Sequence, residues 1–266
     1  MKSEIGLTRI TVITVCYNVA SELELTIQSV LSQSYSIFEY IIVDGGSKDG
    51  SVDIIKKYEK HISRWISEPD KGVYDAMNKG IDLATGEWIL FMNAGDTFYN
   101  QNVLKDVFEK RFDDSIGVIY GDVNLVFPSY GTILKKMDSL QEGEQPLSIC
   151  HQASLTRTKY LKSIKFDLSY KIAADGNTFY KIWTRGLKFE YVSVCMANYE
   201  AVSGLSSTKF IQSFKERSRI IGRTWYNSLE WWIGYFKAFV KKQKRERLTN
   251  EQYEKQYFER ISNKYC

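Results

Sequence analysis

The most constraining feature of this chain is the apolar run Trp88-Ile89-Leu90-Phe91-Met92, which stops abruptly at Asn93-Ala94-Gly95-Asp96. A run without polar alternation reads as a strand covered on both faces, the hallmark of a parallel sheet flanked by helices. Ile10–Tyr17 and Tyr40–Val43 repeat the pattern with β-branched residues, and Trp65–Ser67 is a shorter version. Between these runs apolar residues fall at helical spacing: Leu23, Ile27 and Val30 within 22–33, then Ile54, Ile55 and Tyr58, then a helix over 74–84. Strands alternating with helices of this length predict an α/β fold, a parallel sheet with helical crossovers.

After residue 100 the alternation loosens. Gly117–Val123 and Gly131–Leu134 read as strands of a mixed or antiparallel part, Cys150–Leu155 as another, and Asp175 opens a helix through Phe179, Ile182 and Trp183.

Three of the early strands end in an amide or acid: Asn18, Asp44 and Asp96. In a parallel sheet those ends share one edge, where α/β proteins place their ligands, so the three are expected to line one pocket. Each residue alone has a plain structural account, because Asp and Asn favour turns and an Asp at a helix start caps it. Their convergence is the argument for chemistry. One hard carboxylate with Gly95 beside it suits Mg2+ or Mn2+ held mainly by substrate phosphates.

Other classes are disfavoured. The cysteines at 16, 150, 195 and 266 have no paired spacing, so neither a zinc site nor a disulfide framework is indicated. No phosphate-cradling glycine fingerprint follows the first strand. The apolar stretch near the N-terminus is too short for a signal peptide, and no run is long enough to span a membrane. The expectation is a cytoplasmic protein.

Together these segments resemble glycosyltransferase family two, the inverting nucleotide-sugar transferases of the GT-A fold. Val15-Cys16-Tyr17-Asn18 is similar to that family's first strand end, and Val43-Asp44-Gly45-Gly46-Ser47-Lys48-Asp49-Gly50-Ser51 to its second motif. Asp70-Lys71-Gly72-Val73-Tyr74-Asp75-Ala76-Met77-Asn78-Lys79-Gly80 with Ala84-Thr85-Gly86 is similar to its third. Asn93-Ala94-Gly95-Asp96 stands where the family carries its metal-binding acids, and Ala174-Asp175 where it carries its catalytic base. The resemblance spans about residues 8–200. It implies a Rossmann-like, mostly parallel sheet and a nucleotide-sugar site made of Val15, Tyr17, Asn18, Asp44, Asp70, Lys71, Asn78, Asn93, Ala94 and Gly95. Within it, Asp44 accepts from the nucleobase with Tyr17 packed on the ring. It further implies Asp96 as the ligand of Mg2+ or Mn2+, Asp175 as the base that deprotonates an acceptor hydroxyl, and His151 and Gln152 near the substrate.

Two departures from the family pattern matter. Asn93 and Gly95 leave Asp96 as the only acid of its cluster, which predicts weak metal affinity without nucleotide. Ala174 also precedes the base, where the family often has Glu. The arginine-tryptophan motif of processive synthases is missing, which points to transfer of a single hexose, with a UDP-hexose favoured as donor over GDP-sugars. Two rivals stay open. A sugar nucleotidyltransferase would show a Gly-rich basic loop where this chain reads Asn18-Val19-Ala20-Ser21. A non-catalytic nucleic-acid-binding protein would use the basic late segment, which carries no RNA- or DNA-binding signature.

That late segment divides the chain. Residues 1–208, the expected catalytic domain (nucleotide part about 8–100, acceptor part about 101–208), hold 22 Lys/Arg against 26 Asp/Glu. Residues 209–247 hold 11 against 3, within an expected helical, basic-aromatic segment of 209–266. Seven of the fifteen residues from Trp225 to Phe239 are aromatic, and apolar residues recur at helical spacing from Phe214 to Val240. The plain account is a helix that covers the catalytic domain or a second copy, and a homo-oligomer stays open. The sharper expectation is an interfacial helix over 210–247, its aromatics among lipid headgroups and its cations on anionic lipid. It would hold the enzyme on the inner face of the cell membrane, beside a polyprenyl-diphosphate-linked saccharide acceptor of O-antigen, capsule or exopolysaccharide assembly.

Overall fold

The structure, a computed structural model, describes residues 8–202, 208–224 and 228–265. Its organising layer is one curled sheet of nine strands. The first half is β1 (Ile10–Cys16), β2 (Glu39–Asp44), β3 (Arg64–Ser67) and β4 (Trp88–Phe91), all parallel, in the order β3-β2-β1-β4. Helices α1 (Ala20–Leu31), α2 (Ser51–Lys57) and α3 (Val73–Leu83) are the crossovers.

Alternation along these strands divides the core in two. Ile10, Val12, Tyr40, Ile42, Trp88 and Leu90 pack on the side of α1, with its buried Leu23, Ile27 and Val30. Ile13, Val15, Ile41, Val43, Ile89 and Phe91 pack on the other side, with Tyr74, Met77 and Ile81 of α3. Strands buried on both faces leave no room for polar alternation, which is why these runs were readable from the chain alone.

The second half continues the same sheet with mixed polarity: β5 (Thr97–Phe98), β6 (Ile116–Phe127), β7 (Gly131–Lys135), β8 (Ser154–Arg157) and β9 (Lys188–Glu200). β8 runs antiparallel between β4 and β6, β9 lies parallel to β6 with β5 antiparallel to it, and β7 pairs with the far part of β6. Helices α4 (Val103–Val107), α5 (Thr158–Ile164) and α6 (Ala174–Trp183) fill the connections. The stretch expected as a strand from Cys150 is a short 3-10 turn, His151–Ala153, and strand pairing begins only at Ser154.

The late segment is not one helix. It forms α7 (Phe210–Ile220) and α8 (Leu229–Glu246), followed by α9 (Asn250–Tyr265). Trp225 of the predicted aromatic run lies outside the described residues. All three helices pack on neighbours. Ile220 of α7 joins the core beside α3 and α6. Tyr257 and Phe258 of α9 meet Phe127 edge-on at 5.5 and 5.3 Å between ring centroids. α8 lies on Phe214 of α7 at Gly234, where any side chain would collide with the Phe214 ring.

Candidate active site

Because β8 is antiparallel to β4, the start of β8 lies at the end of β4 (Leu90 pairs with Leu155). His151 and Gln152 are thereby delivered to Asn93–Asp96. α6 begins under the same edge and supplies Asp175. These residues line a cleft of about 570 Å³, together with Ala94, Gly95, Tyr74 and Glu22.

The Asn93–Asp96 loop is held rigidly. Thr26 of α1, fully buried, accepts from the Gly95 N–H at 3.0 Å and donates to the Asp96 carbonyl at 2.8 Å. Gly95 takes φ +99°, a conformation that other residues pay to adopt. Asp96 is only 9% exposed, and burial, reinforced by Glu200, pushes its pKa up to about 6 against the opposing effects of His151 and Gln152. Gln152 is aimed by Cys150, whose thiol donates to its Oε1 at 2.9 Å.

Asp175 occupies the first turn of α6, two residues beyond the helix cap, Ala173. Its Oδ2 lies 3.0 Å from His151 Nδ1, and its Oδ1 accepts from the Gly176 N–H at 2.8 Å and faces the Tyr74 hydroxyl at 3.2 Å. The second nitrogen of His151, Nε2, lies 3.2 Å from the Asn93 amide nitrogen. His151 thus bridges Asn93 and Asp175, with its Nδ1 side toward the carboxylate. Burial alone would raise the Asp175 pKa, but the hydrogen bond and attraction of His151, with the Gly176 N–H and Arg217, hold the carboxyl below its usual range. Asp175 is therefore an oriented, ionised carboxylate in a cleft, able to accept a proton.

A device that the chain does not advertise fixes the approach to Asp175. Glu216 of α7 is buried, and its carboxylate accepts from the backbone N–H groups of Lys171, Ile172 and Ala173 at 3.0, 2.8 and 3.0 Å. Burial opposes ionisation of Glu216, but these donors and Gln212 hold its pKa below normal. Tyr74 adds a bond to the Ile172 carbonyl at 2.7 Å. The far wall of the cleft includes Lys135 of β7, Arg217 of α7, and Tyr257 and Lys264 of α9. No local motif marks these residues; only the tertiary approach of the last helices brings them in.

A divalent cation has a plausible donor set here but no cage. Among the described residues no three His, Cys, Asp or Glu side chains cluster as a metal site. Lining the cleft are the Asp96 carboxylate and the buried Asn93 Oδ1, which has no hydrogen-bond partner. Two hard oxygens fit a cation whose other ligands come from phosphate.

Of the three strand-end residues, Asp96 lines this cleft, while Asn18 and Asp44 lie outside its lining. Asp44 is fully buried and takes five donors: the Cys16 thiol, the Gly46 and Ser47 N–H groups, and the Ser47 and Ser67 hydroxyls. Three of these bonds come from within the 44–51 loop and shape it. Asn18, at φ 51°, ties β1 to that loop by accepting from the Lys48 N–H at 2.9 Å. Val15 is core, its carbonyl bonded to the Ala94 N–H at 3.1 Å. Asn78 spends both ends of its amide on the Phe166 backbone, at 2.9 and 2.8 Å. Lys71 is exposed and donates its N–H to Asp75 at 3.0 Å. Asp70 accepts from the Gly72 N–H at 2.7 Å, and its carboxylate and the Tyr17 ring both lie directly over Gly45. Tyr17 is 61% exposed, an open aromatic face at the strand ends.

Comparison with known proteins agrees with this geometry. Residues 11–173 match the family described as "Glycosyl transferase family 2". A "PGL/p-HBAD biosynthesis glycosyltransferase" of Mycobacterium bovis is 32% identical over 214 residues, covering 75% of this chain and 80% of that protein. Among solved structures, S. aureus TarS 1-349 in complex with UDP superposes with a TM-score of 0.64 at 20% identity, covering 80% of this chain and 64% of that one. The mannosyltransferase PcManGT from Pyrobaculum calidifontis in complex with GDP-Man and Mn2+ gives 0.66 at 16% identity, covering 89% and 74%. Those likenesses establish the GT-A fold, and the family match over most of the chain establishes the rest: this chain is a glycosyltransferase belonging to family 2.

Proposed function

We propose that the chain is an inverting, non-processive enzyme that moves one hexose from a UDP-sugar to a hydroxyl of a lipid-linked saccharide. One observation carries this reading: an ionised, doubly anchored Asp175 faces the Asn93–Asp96 loop across a cleft large enough for two sugars. The donor's diphosphate would lie toward Asp96 and Asn93, and the acceptor toward Asp175. Asp175 takes the proton of the acceptor hydroxyl as its oxygen bonds to the anomeric carbon. The bond from that carbon to the β-phosphate oxygen breaks at the same time, its electron pair leaves on the nucleoside diphosphate, and attack from the opposite face inverts the centre. His151 keeps Asp175 ionised and oriented throughout. Mg2+ or Mn2+ held by Asp96, with the Asn93 carbonyl beside it, would supply charge neutralisation for the leaving diphosphate.

The base slot is assigned to Tyr17 and Asp70, with Asp44 holding the loop behind them. UDP is favoured as carrier with support from TarS, whose structures include complexes with UDP and UDP-GlcNAc, while PcManGT in complex with GDP-Man keeps GDP-sugars as the runner-up. No helix among the described residues is long and apolar enough to cross a membrane. The exposed apolar stripe of α8 supports a peripheral position on the inner face of an anionic membrane.

Purified protein with Mn2+ and a panel of UDP-, GDP- and dTDP-sugars tests the reading by thermal shift and donor hydrolysis. Stabilisation and slow hydrolysis of a UDP-hexose are expected, and a saturating ligand at a hundredfold excess over Kd adds about 2.7 kcal/mol. Asp175→Asn should retain that shift while transfer falls by roughly 10²–10⁴-fold. Activity of this variant within about tenfold of the parent would remove the base assignment.

A further inference from the structure

Next to the cleft lies a second cavity, of about 390 Å³, enclosed by α7, α8 and α9. It shares Tyr199, Arg217 and Tyr257 with the cleft wall, so the two spaces adjoin. Four cations line it, Arg217 from α7, Lys237 and Lys241 one turn apart on α8, and Arg260 from α9, and no acidic side chain does. Nearby basic residues on the same helices find acids, Lys242 with Glu246 and Arg223 with Glu230. The four pocket cations form no ion pair among the described residues. Arg217 donates to the Leu147 carbonyl at 2.8 Å and acts on Asp175 from a distance, and Arg260 lies 4.8 Å from the centre of the Tyr257 ring. Partial burial and the facing Arg260 lower the Lys241 pKa.

Converging cations with aromatic walls and no carboxylate are complementary to a multivalent phosphoanion. Position narrows the choice. On one side the pocket opens toward Asp175; on the other, α8 exposes Trp232 (52%) and Phe236 (66%) to solvent. We propose that this cavity is a diphosphate subsite for the acceptor, holding the head of an isoprenoid diphosphate between a membrane-seated tail and a sugar presented to Asp175. The proposal rests on the lipid-linked acceptor assigned above and adds the residues that would select it.

The test uses full-length protein with the donor site filled by saturating Mn2+ and UDP. Binding of farnesyl diphosphate, inorganic pyrophosphate and farnesol is measured by titration calorimetry. Both diphosphates are expected to bind in the presence of UDP, and farnesol at least about tenfold more weakly, since a charged hydrogen-bonded pair is worth that much. Lys241→Glu should weaken farnesyl diphosphate by about tenfold or more, and Lys241→Arg should retain it. Lys255→Glu, the same charge change on the exposed face of α9, should leave it unaltered. If Lys241→Glu does not fold, Lys237→Gln at an exposed position gives the same reading. Equal binding by parent and Lys241→Glu, full displacement of farnesyl diphosphate by UDP, or equal affinity for farnesol would each overturn the subsite. Donor hydrolysis by the unmodified enzyme reports separately on the glycosyltransfer reading. Hydrolysis without diphosphate binding defeats the subsite alone, and diphosphate binding without any donor turnover defeats the donor assignment.

Discussion

At the scale of residues, the site is a chain of dependencies ending on Asp175. Asn93 holds the far side of the His151 ring, His151 lowers the Asp175 pKa, and Thr26 fixes the loop that carries Asn93 and Asp96. His151→Gln removes the partner that outweighs burial, so the Asp175 pKa should rise. Because Asp175, as the proposed base, works only when ionised, the acidic limb of the transfer profile should then move to higher pH, with kcat lowered and donor KM little changed. An unshifted limb, measured across pH 4–8 in one buffer series, would show that His151 does not set the charge of Asp175. Asp96→Ala should abolish the Mn2+-dependent part of donor binding. Equal affinity of that variant with and without Mn2+ would remove Asp96 as the ligand.

At the scale of elements, legibility followed burial on two faces. The parallel strands were readable because Ile10–Cys16, Glu39–Asp44 and Trp88–Phe91 are wholly buried, and their ends identified Asp96. β9 escaped notice because only Val192, Met196 and Ala197 of its thirteen residues are buried, and its polar letters carry no strand rhythm. Tyr74 sat inside a recognised motif without being singled out, since nothing local points its hydroxyl at a carboxylate far along the chain. Asp44 was readable as a strand-end acid, but the Ser47 and Ser67 hydroxyls that bond it were not, since Ser67 comes from another strand. Glu216 was invisible because its three partners are backbone groups in a loop 43 to 45 residues earlier. Its replacement by Gln, which trades a carboxylate for an amide that satisfies those donors poorly, should cost about 1–3 kcal/mol of stability. The pH dependence has a definite sign. Glu216 is held below its unfolded pKa of about 4.3, so its contribution is complete above that value and disappears as pH falls through the folded pKa. Urea unfolding at pH 7 and at pH 3 should therefore separate the parent from Glu216→Gln widely at the first and little at the second.

At the scale of the whole molecule, the three last helices join the catalytic half to whatever surface α8 faces. α8 has two apolar sides with different fates. Trp231 and Tyr235 stack on each other at 5.1 Å and meet Phe214 of α7 edge-on at 5.6 and 6.5 Å, and Ala238 is buried, which accounts for part of the aromatic density as covering the protein. Leu229, Trp232, Ile233, Phe236, Phe239 and Val240 remain 42–76% exposed in a continuous stripe, with Lys244 and Arg247 around its far end. Among the described residues the stripe faces solvent to this extent, and anionic lipid would satisfy both its apolar side chains and its cations, each cation contributing about 1 kcal/mol near such a surface. Removing everything after about residue 207 is a poor test, since it also takes Glu216 away from the Asp175 loop. Ile233→Ser combined with Phe236→Ser changes exposed side chains of the stripe and should leave the melting temperature intact. The parent is expected to sediment with vesicles containing phosphatidylglycerol, to ignore pure phosphatidylcholine, and to be released by high salt as screening shortens the reach of its cations. The double variant should stay in the supernatant. If the parent also stays there at low salt while the double variant alone loses a dimer seen by light scattering, the stripe joins two copies of the chain, and the lipid-linked acceptor must be reached from solution.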